Sequence, residues 1–153
     1  MHKLLTIVVV ASVAIPTLTV AYTPFRSCPN EAPTPETFEI EGCTELPCTI
    51  TRGQKLVGIG RNLVSPLSTS TVEASIKFYA GGLDLGVTTP PEIADACANG
   101  IDSCPLVEGE SFDYTFSKDD IQMDIADITV QIRVALVDGA VDIGCIEFDG
   151  TIV

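Results

Sequence analysis

The stretch from Ile128 to Leu136 constrains this chain more than any other. Ile128, Val130, Ile132, Val134 and Leu136 alternate with Thr129, Gln131, Arg133 and Ala135. A period of two over that length puts one row of side chains on a single face of a strand, and no amphipathic helix fits it. The strand sits in a block bounded by Cys97 and Cys145. The same block carries Phe112, Tyr114 and Phe116 in the same alternation, after Pro105 and Gly109. Further upstream, Val72, Ala74, Ile76, Phe78 and Ala80 face one way while Glu73, Ser75 and Lys77 face the other. A sheet with one buried face needs an opposing layer, which the rest of the chain must supply.

The remaining segments read in the same way. Phe38 and Ile40 begin a short strand, and Thr49 to Asn62 makes two more around a turn at Arg52-Gly53. Gly81-Gly82 breaks the register as a bulge or turn, Leu83 to Val87 alternates again, and Thr88-Thr89-Pro90-Pro91 ends that run. Glu92 to Ala98 is the one weak helical segment. The last strand runs from Val141 to Ile152 after a turn at Asp138-Gly139. Gly58 and Gly60 lack the third glycine, the lysine and the following helix of a phosphate loop. They read instead as a strand that another group approaches closely. Seven or eight short strands separated by turns make an all-β sandwich.

Residues 1–21 are set apart. His2 and Lys3 precede an apolar run from Leu4 to Ile15, and Thr19 and Ala21 are small, the pattern of a secretory signal peptide cut after Ala21. Pro16 interrupts the run before it reaches the length of a membrane span. The expected mature chain, 22–153, is one domain of 132 residues (153 − 21), enough to bury a core. Loss of Lys3 takes the formal charge from −13 to −14. So acidic a chain is repelled by phosphate backbones, which excludes nucleic acid, and by anionic membranes. It is expected outside the cell.

Six cysteines in a secreted chain form disulfides, and fifteen pairings are possible. Cys43 and Cys48 bracket a short turn-rich loop, as do Cys97 and Cys104. If those local pairs form, Cys28 is left for Cys145. Closing the long loop then contributes roughly 5 kcal/mol and each short one roughly 2. Zinc is the competing use of cysteine, but the spacing is wrong for it.

Much catalytic chemistry is missing. His2, the sole histidine, leaves with the leader, so the mature chain has no Ser-His-Asp or Cys-His nucleophile and no ordinary zinc site. Asp119, Asp120, Asp124 and Asp127 lack the glycine and glutamate of an EF-hand loop, and read as a solvated acidic edge rather than a glycosidase pair. No enzyme, cofactor or metal is expected. There is no Asn-x-Ser/Thr sequon, so no N-glycan is expected.

The order of the six cysteines, CTITRGQ (48–54), CPLVEGESFDY (104–114), ITVQIRVALVD (128–138) and GCIEF (144–148) together resemble the ML family of lipid-recognition domains. The likeness covers essentially the whole mature chain. It is greatest to the branch of soluble Niemann–Pick type C sterol carriers, with the group 2 mite allergens alongside. The resemblance implies an immunoglobulin-like β-sandwich around an internal apolar cavity, with bridges Cys28–Cys145, Cys43–Cys48 and Cys97–Cys104. It also implies a sterol, fatty acid or other small lipid between the sheets, and delivery to a membrane lipid-transfer partner by a monomeric carrier.

On that reading the cavity is lined by Phe78, Leu85, Phe112, Tyr114, Phe116, Ile128, Val130, Ile132, Val134 and Phe148, with Val72, Ile76 and Val87 as weaker candidates. Any one of them could equally fill an ordinary core; the set carries the reading. Two departures from the family stand out: Thr88-Thr89-Pro90-Pro91 lacks the aromatic often found at the cavity mouth, and without a sequon the sugar-tagged lysosomal delivery of the sterol carriers is closed to this chain. The basic rim of the lipopolysaccharide-binding branch also has no counterpart. The alternative is an extracellular interaction module with a solid core. The absence of Trp and the wide Cys28–Cys145 separation count against an ordinary immunoglobulin domain.

Overall fold

The computed structural model describes residues 20–153, so all but the last two positions of the expected leader lie outside the described residues. Alternation decides the architecture. Strands β1 (Arg26–Ser27), β3 (Cys48–Ile50), β5 (Glu73–Ala80), β6 (Leu83–Asp84), β8 (Ile128–Asp138) and β9 (Val141–Ile152) form one sheet. Its order is β1-β9-β8-β5-β6, and β3 pairs parallel with the end of β9. The smaller sheet is β2 (Thr37–Ile40), β4 (Leu56–Val64) and β7 (Ser111–Lys118), antiparallel throughout.

The sequence leads to seven or eight strands and the described residues form nine, because β1 and β6 are two-residue segments too short to show a period. The alternation from Leu83 to Val87 is a strand only at its first two residues. Asp84 turns the chain by accepting a bond from Gly86 N–H at 2.9 Å, and Gly86 takes a left-handed φ of 69°. Gly81 and Gly82, also left-handed, make the turn before it. The helical segment is two four-residue helices, α1 (Pro91–Ala94) and α2 (Ala96–Asn99). Asp95 between them is extended, bridges to Glu73, and caps α2 by accepting from Ala98 N–H at 3.0 Å.

Register places the apolar rows. Phe78, Ile132 and Phe148 lie side by side across β5, β8 and β9, and Ile76, Val134 and Ile146 form the next row. From the other sheet, Phe38 meets Phe148 with ring centroids 5.3 Å apart, so the two layers touch directly there. Between Leu136 and Val137 the β8–β9 register shifts, and Ile143 enters the core as the extra residue of the bulge.

Three disulfides form, with Cα–Cα distances of 5.7 Å for Cys28–Cys145, 5.5 Å for Cys43–Cys48 and 5.6 Å for Cys97–Cys104. On the outer face of the larger sheet, Glu147 is only 4% exposed. Arg133 donates to it from Nε (2.7 Å) and Nη2 (2.6 Å), and Gln131 donates a further bond. A carboxylate this buried is tolerable because every donor around it is charged or aimed.

Candidate functional site

An apolar cavity of about 370 Å³ lies between the sheets, within the range that holds a small ligand. It sits at the end where β5 and β7 finish and β4 begins. The larger sheet contributes Ile76 and Phe78 from β5, Ile132 and Val134 from β8, Phe148 from β9 and Ile50 from β3. The smaller sheet contributes Leu56, Phe116 and Lys118. Two irregular segments close the end: Val87 to Ile93, which includes α1, and the loop 120–123 after β7.

Local sequence explains both closing segments. Pro90 and Pro91 fix the approach to α1, with a proline in its first turn, and so aim Ile93 inward. The loop 120–123 is held by two backbone bonds: Gly53 N–H to the Ile121 carbonyl at 2.8 Å, and Ile121 N–H to the Gln54 carbonyl at 3.1 Å. Ile121 is therefore buried although its neighbours Asp120 and Gln122 are exposed.

Charge gathers at the mouth. Lys118 is the one cation on the wall, and its Nζ lies 3.0 Å from Glu92 Oε1 on α1. A bond from its own backbone N–H, and then Lys118, hold the Glu92 carboxyl below the usual range. Asp120 also lines the opening, and Lys55 meets Asp119 at 3.6 Å nearby. The mouth is thus acidic on balance.

Phe78, Phe116, Ile132, Val134 and Phe148 meet at the cavity, and with them Ile76 and Val87. The other expected lining residues do not. Phe112 pairs with Leu63 toward the opposite end of β7, where the two layers are in direct contact. Val130 lies opposite Gly150, and Ile50 and Ile132 fill the space that a side chain there would take. Ile128 is half-buried against Ile152, and Leu85 packs at the sheet edge with its N–H bonded to the Phe78 carbonyl at 2.9 Å. Val72 is buried beside α2 instead.

Tyr114 lines a second, smaller void of about 30 Å³, together with Pro35, Phe38, Leu63, Leu136 and Ile146. Phe116 and Val134 are walls of both voids. The Tyr114 hydroxyl is buried without a hydrogen-bond partner, and burial pushes its phenol well above the ordinary value. An orphan of this kind costs about 1–3 kcal/mol.

Nine cavity residues escaped the sequence reading: Ile50, Leu56, Glu92, Ile93, Lys118, Asp120, Ile121, Gln122 and Met123. A signal for part of the loop existed. Ile121, Met123 and Ile125 alternate through the acidic run, a half-buried pattern that its aspartates obscure. Among the described residues, no group of three or more His, Cys, Asp or Glu is arranged to hold a metal ion, and no helix is long and apolar enough to cross a membrane.

Known structures share the architecture. The Niemann-Pick type C2 protein of the Japanese carpenter ant superposes with a TM-score of 0.71 at 18% identity, over 85% of this chain and 99% of that one. Chicken MD-1, solved in complex with lipid IVa, superposes with a TM-score of 0.55 at 15% identity, over 82% of this chain and 85% of the other. No curated protein sequence matches this chain. The sequence model of the ML domain matches residues 22–152, nearly all of the two-sheet unit with its three bridges and cavity, and the chain therefore belongs to the ML domain family.

Proposed function

We propose that this chain is an extracellular carrier that holds a sterol, fatty acid or similar lipid in the cavity between its sheets and moves it through water. Family membership supports lipid binding in general, in a family whose members are not enzymes. The observation that carries the finer reading is the cavity itself, walled by Phe78, Ile132, Val134 and Phe148 on one side and by Leu56 and Phe116 on the other. These residues are the proposed ligand contacts.

Transfer from water supplies the affinity. Ten buried methylenes are worth about 8 kcal/mol before the cost of association, which sets the scale at one full acyl chain or one sterol skeleton. The acidic mouth, with Lys118 already held by Glu92, favours neutral or fatty lipids over heavily phosphorylated ones. A solid-core interaction module would have no use for a void of this size.

The test is direct. Purified protein is extracted with organic solvent and the extract read by mass spectrometry, and delipidated protein is titrated with a fluorescent fatty acid. Co-purified lipid and saturable probe binding are expected. A lipid-free extract together with no probe binding would refute the carrier.

A further inference from the structure

Among the described residues, the Tyr114 hydroxyl is the only buried side-chain polar atom without a partner. Tyr114 is 5% exposed, and its ring is fixed from two sides. A Cβ on Gly100 would collide with it, and Phe116 lies 6.3 Å away. The hydroxyl therefore cannot swing out to water. The adjoining void of about 30 Å³ has room for one water-sized group. A trapped water needs two to four polar partners, and the side chains around this void are otherwise apolar. Among the residues around the void, Cys145 has its N–H already bonded to the Pro33 carbonyl at 2.9 Å. An oxygen covalently attached to a buried hydrocarbon needs no second partner, because the tail holds it in place.

The strand connects this point to the mouth. Tyr114, Phe116 and Lys118 alternate along β7, with Tyr114 at the smaller void, Phe116 a wall of both voids and Lys118 at the opening of the larger. Four residues of strand span about 13 Å, so β7 presents a polar atom at each end of an apolar run of that length. We infer that Tyr114 recognises an oxygen at the inner end of the ligand, and that the preferred cargo is a lipid hydroxylated or otherwise oxygenated on its tail. This inference rests on the carrier reading above and names the ligand class for that site.

Matched lipids test it. Hexadecanoic acid against 16-hydroxyhexadecanoic acid, and cholesterol against 25-hydroxycholesterol, compete for a fluorescent fatty acid on delipidated full-length protein. In the wild type, the tail-hydroxylated member of at least one pair should displace the probe about tenfold more effectively, equivalent to about 1.4 kcal/mol. Tyr114→Phe, which keeps the ring, should erase that preference by bringing the hydroxylated lipid to the affinity of its partner. Equal affinities within both pairs on the wild type would overturn the inference and leave the carrier intact. So would a preference that survives Tyr114→Phe. If none of the four lipids displaces the probe, the carrier reading falls and this inference with it.

Discussion

Gly58→Ala tests whether the cavity wall can be moved without breaking the sandwich. Gly58 sits in the middle of the smaller sheet, paired with Ile40 on one side and Phe116 on the other. A Cβ placed there would overlap Cε1 and Cζ of Phe116, whose ring lies across the glycine. Gly58 has no left-handed φ, so alanine can adopt its backbone and the conflict is with the ring alone. Overpacking of this kind costs about 1–3 kcal/mol. Replacing a strand glycine by alanine returns about 0.5–1 kcal/mol of backbone entropy. The net loss is then between about 0 and 2.5 kcal/mol, or a fall of up to about 12 °C in melting midpoint for a domain of this size.

The Phe116 ring has the void beside it to enter, so the variant should fold while its cavity shrinks. Ligand makes the effect measurable. At a lipid concentration 100 times Kd the wild type gains about 2.7 kcal/mol, whereas a variant with tenfold weaker affinity gains about 1.4 at the same concentration. Calorimetry with and without fatty acid should therefore show the gap between the two proteins widening by about 1.3 kcal/mol. A gap that stays constant would mean that Phe116 is no part of the ligand wall. A variant more stable than the wild type would mean that the ring does not rest on Gly58 at all.

Ile132→Trp should likewise fold, because the larger ring projects into the void, while displacement of a fluorescent lipid probe weakens sharply; a stable variant with unchanged affinity would place the ligand elsewhere. Replacing both Cys28 and Cys145 by alanine should cost about 3 kcal/mol more than replacing both Cys43 and Cys48, since the loops closed span 117 and 5 residues; denaturant midpoints in the reverse order would mean that local packing outweighs loop closure. Arg26 donates twice to Asp149 and holds its carboxyl below the usual range, so the stability this pair contributes is present above about pH 4 and is lost as the pH falls through the lower folded value. Arg26→Gln should therefore narrow the drop in melting midpoint between about pH 5 and pH 2.5, and an unchanged drop would show that the pair contributes nothing.

The long strands could be read from the sequence because each buries one face, and burial writes a period of two. Thus β5, β7, β8 and β9 stand within a residue or two of where Val72, Phe112, Ile128 and Val141 placed them. Gly58 was legible as a point of close approach, although its neighbour Phe116 was not named by the pattern. The cavity was harder to read, because alternation says that a side chain faces inward and not what it meets there. Phe112 and Phe116 share one face of β7, yet Phe112 meets Leu63 in a filled end and Phe116 borders the void. Ile93 lies on a segment with no regular period and reaches the cavity through a proline-directed turn, while Ile121 opens a short alternation hidden among aspartates and is held by a two-bond tether. No local pattern encodes contacts fixed by so distant a partner as Gly53 or Gln54.

The outer flank of β9 has a consequence for association between copies. An unpaired strand edge is a template for a second chain, and β9, at twelve residues, is the longest strand here. It is covered in patches from separate parts of the sequence: β1 on Ile146 and Glu147, β3 on Gly150 to Ile152, and the Pro33 carbonyl on Cys145 N–H. Each strand patch is moored by a disulfide, β1 by the adjacent Cys28 and β3 by Cys48 itself. The bridges thus hold both covering strands close to the flank, and a reducing environment would loosen the cover on an edge along which copies of this protein could stack.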